Sequence, residues 1–351
     1  MIARRAPLAL LALLALPALA VAQGPPLALP EASQAATASQ RIGLTDITVK
    51  YHRPAVKQRT VWGALVPYDQ VWRAGANQNT VLSCSTPFSV GGQQLPAGDY
   101  GLHMIPTKTE WTVILNKEST AWGSFFYDQA KDAVRFTARP QTGDFQEHLA
   151  YTFESPGPSS VTLTLHWENV ALLIPIAVDT PAVVSDNLQQ QLHNLPGFFW
   201  QGFAQAASWS ARNNANLDRA ATWADRAIAM NRNYQTLRAK ALVLDRKGDA
   251  TAAAALRDDA LKLATEADIN AYGYELMSAG KIDDAIVIFR SNVADHPGSW
   301  NAYDSLGEAL AQKGQTADAV AQYTKALQMV GDDTNKTRIR GILATLAANR
   351  K

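Results

Sequence analysis

Hydrophobic and polar residues alternate along much of the first half of the chain. In residues 161–168, Val, Leu, Leu and Trp alternate with Thr, Thr, His and Glu, and similar runs begin at Ile47, Trp111 and Leu149. A period of two residues predicts strands with one face in a core and the other toward water. Eight to ten short strands, separated by turns and with no long helix between them, predict an antiparallel β-sandwich or jelly-roll-like barrel over residues 41–180.

From about residue 199 the period changes to that of helices, and the sequence repeats itself. A fixed period of 34 residues predicts a stacked array of helix pairs, because one pair cannot bury its apolar face alone. The stripe of Ile339, Ile342, Leu343 and Leu346 predicts a helix that caps the last pair. The repeated positions are Gly273, Leu276, Gly280, Asp284, Ala285 and Phe289, which recur as Gly307, Leu310, Gly314, Asp318, Ala319 and Tyr323.

This helical half, residues 199–351, resembles the tetratricopeptide repeats. The copy from about Ser299 to Met329 has the family's spacing of small and aromatic residues, and the copy before it keeps most of that spacing. A weaker copy around 234–264 is offset by 32 residues, so one turn is shorter, and a further pair is expected around 199–231. The resemblance implies an all-α solenoid that binds a protein or peptide, and it implies no particular partner.

The remaining segments divide the chain further. Residues 1–22 are expected to be a signal peptide, with Arg4 and Arg5 before an apolar stretch and Ala20-Val21-Ala22 as the cleavage site. Residues 23–40 are small, polar and rich in proline, which predicts a flexible linker. A connector is expected over 181–198. These features predict a periplasmic or secreted protein with no membrane span after cleavage.

Composition and charge limit the classes of partner that the sequence predicts. The chain has a net charge of +1, and removing the two signal-peptide arginines leaves 30 basic and 31 acidic residues, or −1. No basic stripe is present, so nucleic acid is not an expected partner. Cys84 is the only cysteine, which excludes a disulfide within the chain, and its position in a predicted strand indicates a buried thiol.

The densest polar and aromatic chemistry lies in residues 51–80. Its runs Gly63-Ala-Leu-Val-Pro-Tyr68 and Val71-Trp-Arg-Ala-Gly-Ala-Asn77, together with Arg53-Pro54 and the later Leu95-Pro-Ala-Gly-Asp-Tyr100, resemble domain-of-unknown-function family 2911. The resemblance covers roughly residues 40–180. It implies an exported bacterial protein, in some members with tetratricopeptide repeats attached, and it implies no activity.

Two interpretations of this block stay open. Arginine forks suit carboxylate or phosphate, and flat aromatic faces suit a sugar ring, so the block could line a small-ligand pocket. Alternatively, Trp62 and Trp72 fill the core and Arg73 caps loop carbonyls. The ligand-binding candidates are Arg53, Arg59, Tyr68, Trp72, Arg73, Asn77 and His103.

Enzyme signatures are weak. The four histidines of the β half (His52, His103, His148 and His166) are scattered without ligand spacing, so no metal site and no cofactor are predicted. No nucleophile elbow, zinc motif or phosphate loop is present, and no catalytic residue is assigned. The alternative is a cell-envelope hydrolase acting on saccharide or peptide through Trp72, Arg73, Asn77 and His103.

The first helix of each repeat pair is expected to line the concave side of the array. Its residues are polar with no dominant sign, which favours a neutral peptide or a partner domain, and the β domain of the same chain is the other candidate occupant. The sequence therefore predicts an exported binding or scaffold protein, whose β domain holds a small polar ligand or a cell-envelope component and whose repeats dock a protein. The groove candidates are Gln235, Arg238, Asn270, Tyr274, Asn301, Asp304 and Glu308.

Overall fold

A computed structural model describes residues 29–348 of the chain. The predicted signal peptide, the first part of the predicted linker and residues 349–351 lie outside the described residues. The chain forms an N-terminal β region and a C-terminal helical region, as the hydrophobic periods predicted. Among residues 29–348, no helix combines the length and the apolar character that crossing a bilayer requires.

The β region consists of two antiparallel sheets. Six strands form one sheet in the order β1-β2-β3-β6-β7-β8, and four form the other in the order β5-β4-β10-β9. Their inward faces meet in one core that includes Trp111 and Trp167, both almost fully buried. The strands are β1 (Gln34–Ile42), β2 (Thr45–Arg53), β3 (Thr80–Cys84), β4 (Phe88–Val90), β5 (Gln93–Leu95), β6 (Gly98–Ile105), β7 (Trp111–Asn116), β8 (Asp132–Ala138), β9 (Gln141–Glu154) and β10 (Ser160–Ala177).

The flexible linker predicted over 23–40 is wrong in its second part, because Gln34–Ile42 forms β1. All nine residues of β1 pair with β2, from Gln34 opposite Arg53 to Ile42 opposite Thr45. Its small polar side chains carry no strand signal of their own. The strand is held by backbone hydrogen bonds to β2, which supplies the buried face.

The helical region contains ten α-helices among the described residues. From the second helix to the ninth they form four consecutive pairs, and the two helices of each pair pack against each other. The helices are α1 (Thr180–Gln191), α2 (Trp200–Arg212), α3 (Leu217–Met230), α4 (Tyr234–Lys247), α5 (Ala250–Leu261), α6 (Glu266–Ser278), α7 (Ile282–Asp295), α8 (Trp300–Gln312), α9 (Thr316–Met329) and α10 (Asp333–Ala348).

The connector predicted over 181–198 is mostly helix α1, so that prediction needs correction. Val183 packs against the β core, and Leu188 and Leu192 pack against α2 and α3. Arg219 of α3 forms an ion pair with Asp186 at 2.7 Å. A helix forms here because Asp179 caps its N-terminus and both sides of the helix find packing partners.

The 34-residue repeat has a simple packing cause. Gly273 of α6 faces Phe289 of α7 so closely that a Cβ atom at 273 would lie 2.3 Å from the ring. Gly307 of α8 faces Tyr323 of α9 in the same way, with a Cβ distance of 3.1 Å. Each pair thus joins a residue without a side chain to a buried aromatic ring, which lets the two helices approach closely.

Candidate functional site

Two tryptophans of the 51–80 block belong to the core of the β region. Trp62, Trp72, Trp111 and Trp167 form one cluster, in which the rings of Trp72 and Trp167 stack at 5.9 Å. The backbone of Trp72 exchanges two hydrogen bonds with Met104 of β6, at 2.7 and 2.8 Å. This places Trp72 as an extra strand residue beside the sheet. Its fixed position determines where Arg73, the next residue, emerges.

Arg73 lies at the surface end of this cluster with no carboxylate partner among residues 29–348. Its Nη1 donates to the backbone carbonyl of Asn77, and no other hydrogen bond holds the guanidinium within that part of the chain. Its Cζ lies 5.4 Å from the ring centroid of Trp122 and 5.3 Å from that of Phe125. Burial lowers the pKa of Arg73 from its ordinary value, although the group remains a cation. The cation is therefore partly desolvated and has donor capacity to spare.

The backbone around Arg73 adopts costly conformations. Ala74 is fully buried at a φ of 50°, and Asn77 has a φ of 57°, both in the left-handed region. Gly123, at a φ of 68°, packs directly on the guanidinium, since a Cβ there would lie 2.5 Å from Arg73 Cζ. Such residues cluster at functional sites because strain persists only where the surrounding structure enforces it. Arg73 therefore lies between the loop that contains Ala74 and Asn77 and the turn that begins at Gly123.

Two adjacent pockets share Arg73, Trp72 and Leu65. The first, about 400 Å³, is also lined by Pro67, Gln70, Val71, Ser124 and Phe125. The second, about 370 Å³, is also lined by Ser33, Pro54, Arg59, Val66, Gly75, Ala76, Asn77 and Trp167. Neither lining contains an Asp or Glu, but the Glu31 carboxylate accepts a hydrogen bond from Asn77 of the second lining, so the first pocket is the more positive of the two. Their sizes fall in the range of small-molecule sites.

The structure brings some of the sequence candidates together and separates others. Arg59 lines the second pocket with Arg73 and Asn77, and its Nε and Nη2 are held by the carbonyls of Val56 and Ala55. The side-chain amide of Asn77 donates to Glu31 at 2.7 Å. Arg53 and Tyr68 line neither pocket: Arg53 donates to the carbonyl of Leu149 at 2.9 Å, and Tyr68 packs on Gly63.

An exposed aromatic surface was missed at the sequence level. The rings of Trp122 and Phe125 stack at 5.7 Å, and their exposed fractions are 54% and 72%. Phe125 belongs to a short 3-10 turn (Gly123–Phe126), and Trp122 immediately precedes it. Gly123 has a positive φ at the start of this turn, and both rings lie over Arg73. The sequence Trp-Gly-Ser-Phe-Phe over residues 122–126 is consistent with a turn, because it contains a glycine. The sequence pattern does not predict that the aromatic rings are exposed.

His103 lies in β6 beneath this turn rather than in a pocket lining. It is 2% exposed, and its Nδ1 lies 2.9 Å from the hydroxyl of Ser124. Burial lowers the pKa of His103 to about 4, with the Arg73 charge acting in the same direction and Asp132 opposing it. The Ser124–His103 pair resembles part of a nucleophilic dyad. A histidine with so low a pKa is a weak base, so the geometry does not favour the hydrolase predicted as the alternative.

The loop that carries Ser124 is anchored by buried polar groups. The hydroxyl of Tyr127 donates to Asp132 at 2.7 Å, and its ring contacts His103 at 5.3 Å. Asn116 donates to the other oxygen of Asp132 at 2.7 Å. These bonds hold residues 117–131 on the sheet, so the turn over Arg73 is a fixed part of the site. No cluster of three or more metal-ligating side chains occurs within 29–348.

The groove candidates lie on the first helices of successive pairs, α4, α6 and α8, and hydrogen bonds link them from helix to helix. Burial raises the pKa of Tyr274 to about 12, so its hydroxyl stays protonated and donates to Glu308. We call these links the polar ladder. They are Gln235 to Asp268 (3.4 Å), Arg238 to Glu275 (2.7 Å), Tyr274 to Glu308 (2.7 Å), Asn301 to Glu266 (3.4 Å) and Arg338 to Asp304 (2.8 Å).

Two of the groove candidates leave acceptors unused. Asn270 and Asp304 are 34 residues apart and therefore occupy equivalent positions in consecutive repeats. Each has a buried side-chain oxygen with no hydrogen-bond donor among the described residues. Burial raises the pKa of Asp304, and the Arg338 guanidinium opposes that shift. Unused buried acceptors carry a free-energy cost that a donor from a partner would relieve.

Comparison with known proteins finds a family match over the β region. The sequence model described as "Protein of unknown function (DUF2911)" matches residues 33–176, which span the strands from β1 to β10. A search among curated proteins finds no match. The chain is therefore similar to this family over its β region and continues into helical repeats.

Several solved structures match 43% of the chain. MamA from Desulfovibrio magneticus RS-1 is 18% identical, with 85% of that chain covered and a TM-score of 0.29. The pilF protein of Pseudomonas aeruginosa is 17% identical, with 68% covered and a TM-score of 0.29. YrrB, "a TPR protein with an unusual peptide-binding site", is 17% identical, with 78% covered and a TM-score of 0.28. The repeat architecture itself rests on the 34-residue period and the helix packing described above.

Proposed function

We propose that this chain is an exported binding protein, in which the β region holds a small anionic ligand at Arg73 and the helical repeats hold a protein partner. Export is inferred from residues 1–22 of the sequence. The observation that carries the ligand site is the Arg73 guanidinium, partly buried and unpaired with any carboxylate of residues 29–348, where two pockets meet.

The argument for an anion is one of free energy. A desolvated cation is costly unless a partner compensates it. Arg135 has such a partner in Asp132, at 3.1 Å. Among residues 29–348, the only hydrogen-bond partner of the Arg73 guanidinium is the backbone carbonyl of Asn77. The positive φ of Ala74 and the lack of a side chain at Gly123 allow the guanidinium to occupy this position. A carboxylate or phosphate bound in two-pronged fashion would complete its hydrogen bonds.

Replacing Arg73 by alanine is expected to weaken anion binding. Hydrogen bonds to a charged group contribute about 1.5–3 kcal/mol, so we expect the Kd to rise by roughly 10- to 150-fold. Arg73→Lys keeps the charge but loses the planar fork, so it should bind with intermediate affinity. Titration calorimetry of the full chain with acetate, citrate and phosphate measures the effect.

The matched control is Arg139→Ala, which removes an arginine whose side chain is exposed and pairs only loosely with Glu110, at 3.7 Å. Its affinity for the same anions should equal that of the wild type. Equal affinities for the wild type and Arg73→Ala, or no anion binding by the wild type, would overturn the ligand proposal.

The partner site is proposed on the polar ladder of α4, α6 and α8. Its amide and carboxylate acceptors suit the N–H donors of a peptide backbone or of basic side chains. Replacing Asn270 and Asn301 together by alanine is expected to remove the partner, since both amides lie on the first helices. The melting temperature should stay within a few degrees of the wild-type value, because both side chains make few internal bonds.

Affinity capture from an envelope extract, quantified by mass spectrometry, tests this site. Lys325→Ala, an exposed change on the second helix α9, is the control and should retain every protein that the wild type captures. Retention of the same proteins by Asn270→Ala/Asn301→Ala would show that the partner binds elsewhere.

A further inference from the structure

We infer that the ligand at Arg73 is an acidic saccharide, a pyranose ring that bears a carboxylate. This inference rests on the proposed anion site and names the chemistry of its occupant. Three features of the first pocket carry it: the exposed ring of Phe125, hydrogen-bonding side chains beside that ring, and a guanidinium with no carboxylate partner among residues 29–348. The pocket is the one shared by Leu65, Gln70, Arg73, Ser124 and Phe125.

The aromatic face is built to remain exposed. Phe125 lines the pocket while 72% of its surface stays accessible, and Trp122 stacks on it at 5.7 Å. An isolated phenyl ring on a loop would gain by turning inward, yet the turn at Gly123 and the Ser124–His103 contact hold this one outward. A sugar ring has one largely apolar face formed by its C–H groups, and flat aromatic side chains are the surfaces on which such faces rest.

The rim of the pocket is polar. Gln70 is exposed and offers an amide with both a donor and an acceptor. Ser124 offers a hydroxyl that keeps hydrogen-bonding capacity beside its contact with His103. Hydroxyl groups around the edge of a sugar ring match such partners, whereas an aromatic or aliphatic carboxylate would leave them unpaired.

The positive charge of Arg73 favours a ligand that bears a carboxylate. Arg73 adjoins both the Phe125 ring and the pocket, with its Cζ 5.3 Å from that ring centroid. A carboxylate attached directly to a ring that rests on Phe125 would therefore reach the guanidinium without a spacer. A neutral sugar would offer the guanidinium no opposite charge, and a small inorganic anion would leave the Phe125 ring unused.

Glucuronic acid is the probe, and glucose, acetate and benzoate are the comparison ligands. Titration calorimetry with the full chain should give a Kd for glucuronic acid at least tenfold lower than the Kd of glucose or of acetate. Arg73→Ala should abolish that preference over glucose. Phe125→Ala should raise the Kd for glucuronic acid by roughly 3- to 10-fold and leave that for acetate unchanged, since a stacking contact contributes about 0.5–1.5 kcal/mol.

Phe126→Ala is the matched control, because Phe126 is equally exposed at 71% but lines neither pocket. Its affinity for glucuronic acid should equal that of the wild type. Saturation-transfer difference NMR adds a second readout, in which the ring protons of glucuronic acid receive magnetisation in the wild type and lose it in Phe125→Ala.

Each outcome decides one of the two proposals. If acetate binds through Arg73 but glucuronic acid binds no more tightly, the saccharide inference fails while the anion site stands. If benzoate binds more tightly than glucuronic acid, the occupant is an aromatic carboxylate and the inference also fails. If glucose binds as well as glucuronic acid in both the wild type and Arg73→Ala, the charge plays no part and both proposals fail.

Discussion

Replacing Phe289 by alanine is expected to lower the free energy of unfolding of the helical region by about 3–5 kcal/mol. Phe289 is fully buried, fills the space left by Gly273 on the neighbouring helix, and meets the ring of Tyr274 edge to face at 5.3 Å. Glycine at 273 cannot move inward to close the cavity, so most of the lost packing stays lost. Urea unfolding followed by circular dichroism at 222 nm measures the change, because the helices dominate that signal.

Val287→Ala on the same helix is the control for Phe289→Ala. Val287 is 66% exposed, so its replacement should change the free energy of unfolding by no more than about 0.5 kcal/mol. A loss below about 1 kcal/mol for Phe289→Ala would mean that α6 and α7 do not pack through this ring. The 34-residue period would then have another cause than the glycine–aromatic pairs.

The parts of the fold that were predictable are those in which side chains determine the structure. The alternation in 161–168 predicted the buried face of β10 because those side chains fill the core. The recurrence of Gly273 and Phe289 as Gly307 and Tyr323 predicted the helix pairs because each pair needs one small and one large partner. Strand β1 escaped prediction because its order comes from the backbone of β2 rather than from its own side chains.

The candidate site was only partly predictable, for a similar reason. The sequence placed Arg73 and Asn77 four residues apart in one loop, and the second pocket contains both together with Arg59. It could not place Phe125, which comes from a loop about fifty residues later and joins Arg73 only because β6, β7 and β8 are neighbours in the sheet. It also grouped His103 with the pocket residues, although the loop that carries Ser124 and Tyr127 covers that face of β6 and buries the ring.

Arg73 links the buried His103 to the exposed aromatic pair Trp122–Phe125. The same guanidinium adds to the burial that lowers the pKa of His103, packs on Gly123 and touches the Trp122–Phe125 pair. A bound carboxylate would therefore act on a cation that is already fixed on several sides, so little side-chain entropy would be lost on binding. A preformed site of this kind binds with a smaller ordering cost than one built on mobile side chains.

The stability of the β region is expected to fall by about 3 kcal/mol as the pH drops from 7 to 4, through His103 alone. Burial lowers the pKa of His103 to about 4 from its ordinary value of 6.5, with Arg73 adding to the effect and Asp132 opposing it. Between these values the unfolded chain binds a proton that the folded chain excludes, so stability rises with pH. The contribution is complete above pH 6.5 and is lost as the pH approaches 4.

His103→Asn isolates this contribution, because asparagine can keep a hydrogen bond to Ser124 and does not titrate. The variant is expected to be less stable than the wild type at pH 7 and to have a flatter dependence of stability on pH between 4 and 7. Hydrogen exchange of the β6 and β7 amides, corrected for the intrinsic exchange rate at each pH, reports the stability of the β region separately from that of the helices.

His148→Asn supplies the comparison, since it removes a histidine from an exposed position on β9. Its pH dependence should follow that of the wild type. Equal slopes for the wild type and His103→Asn would mean that His103 accepts a proton in the folded state at little cost. The imidazole would then be accessible and basic enough to serve Ser124 as a proton acceptor, and the hydrolase alternative would regain the support that burial of His103 removes.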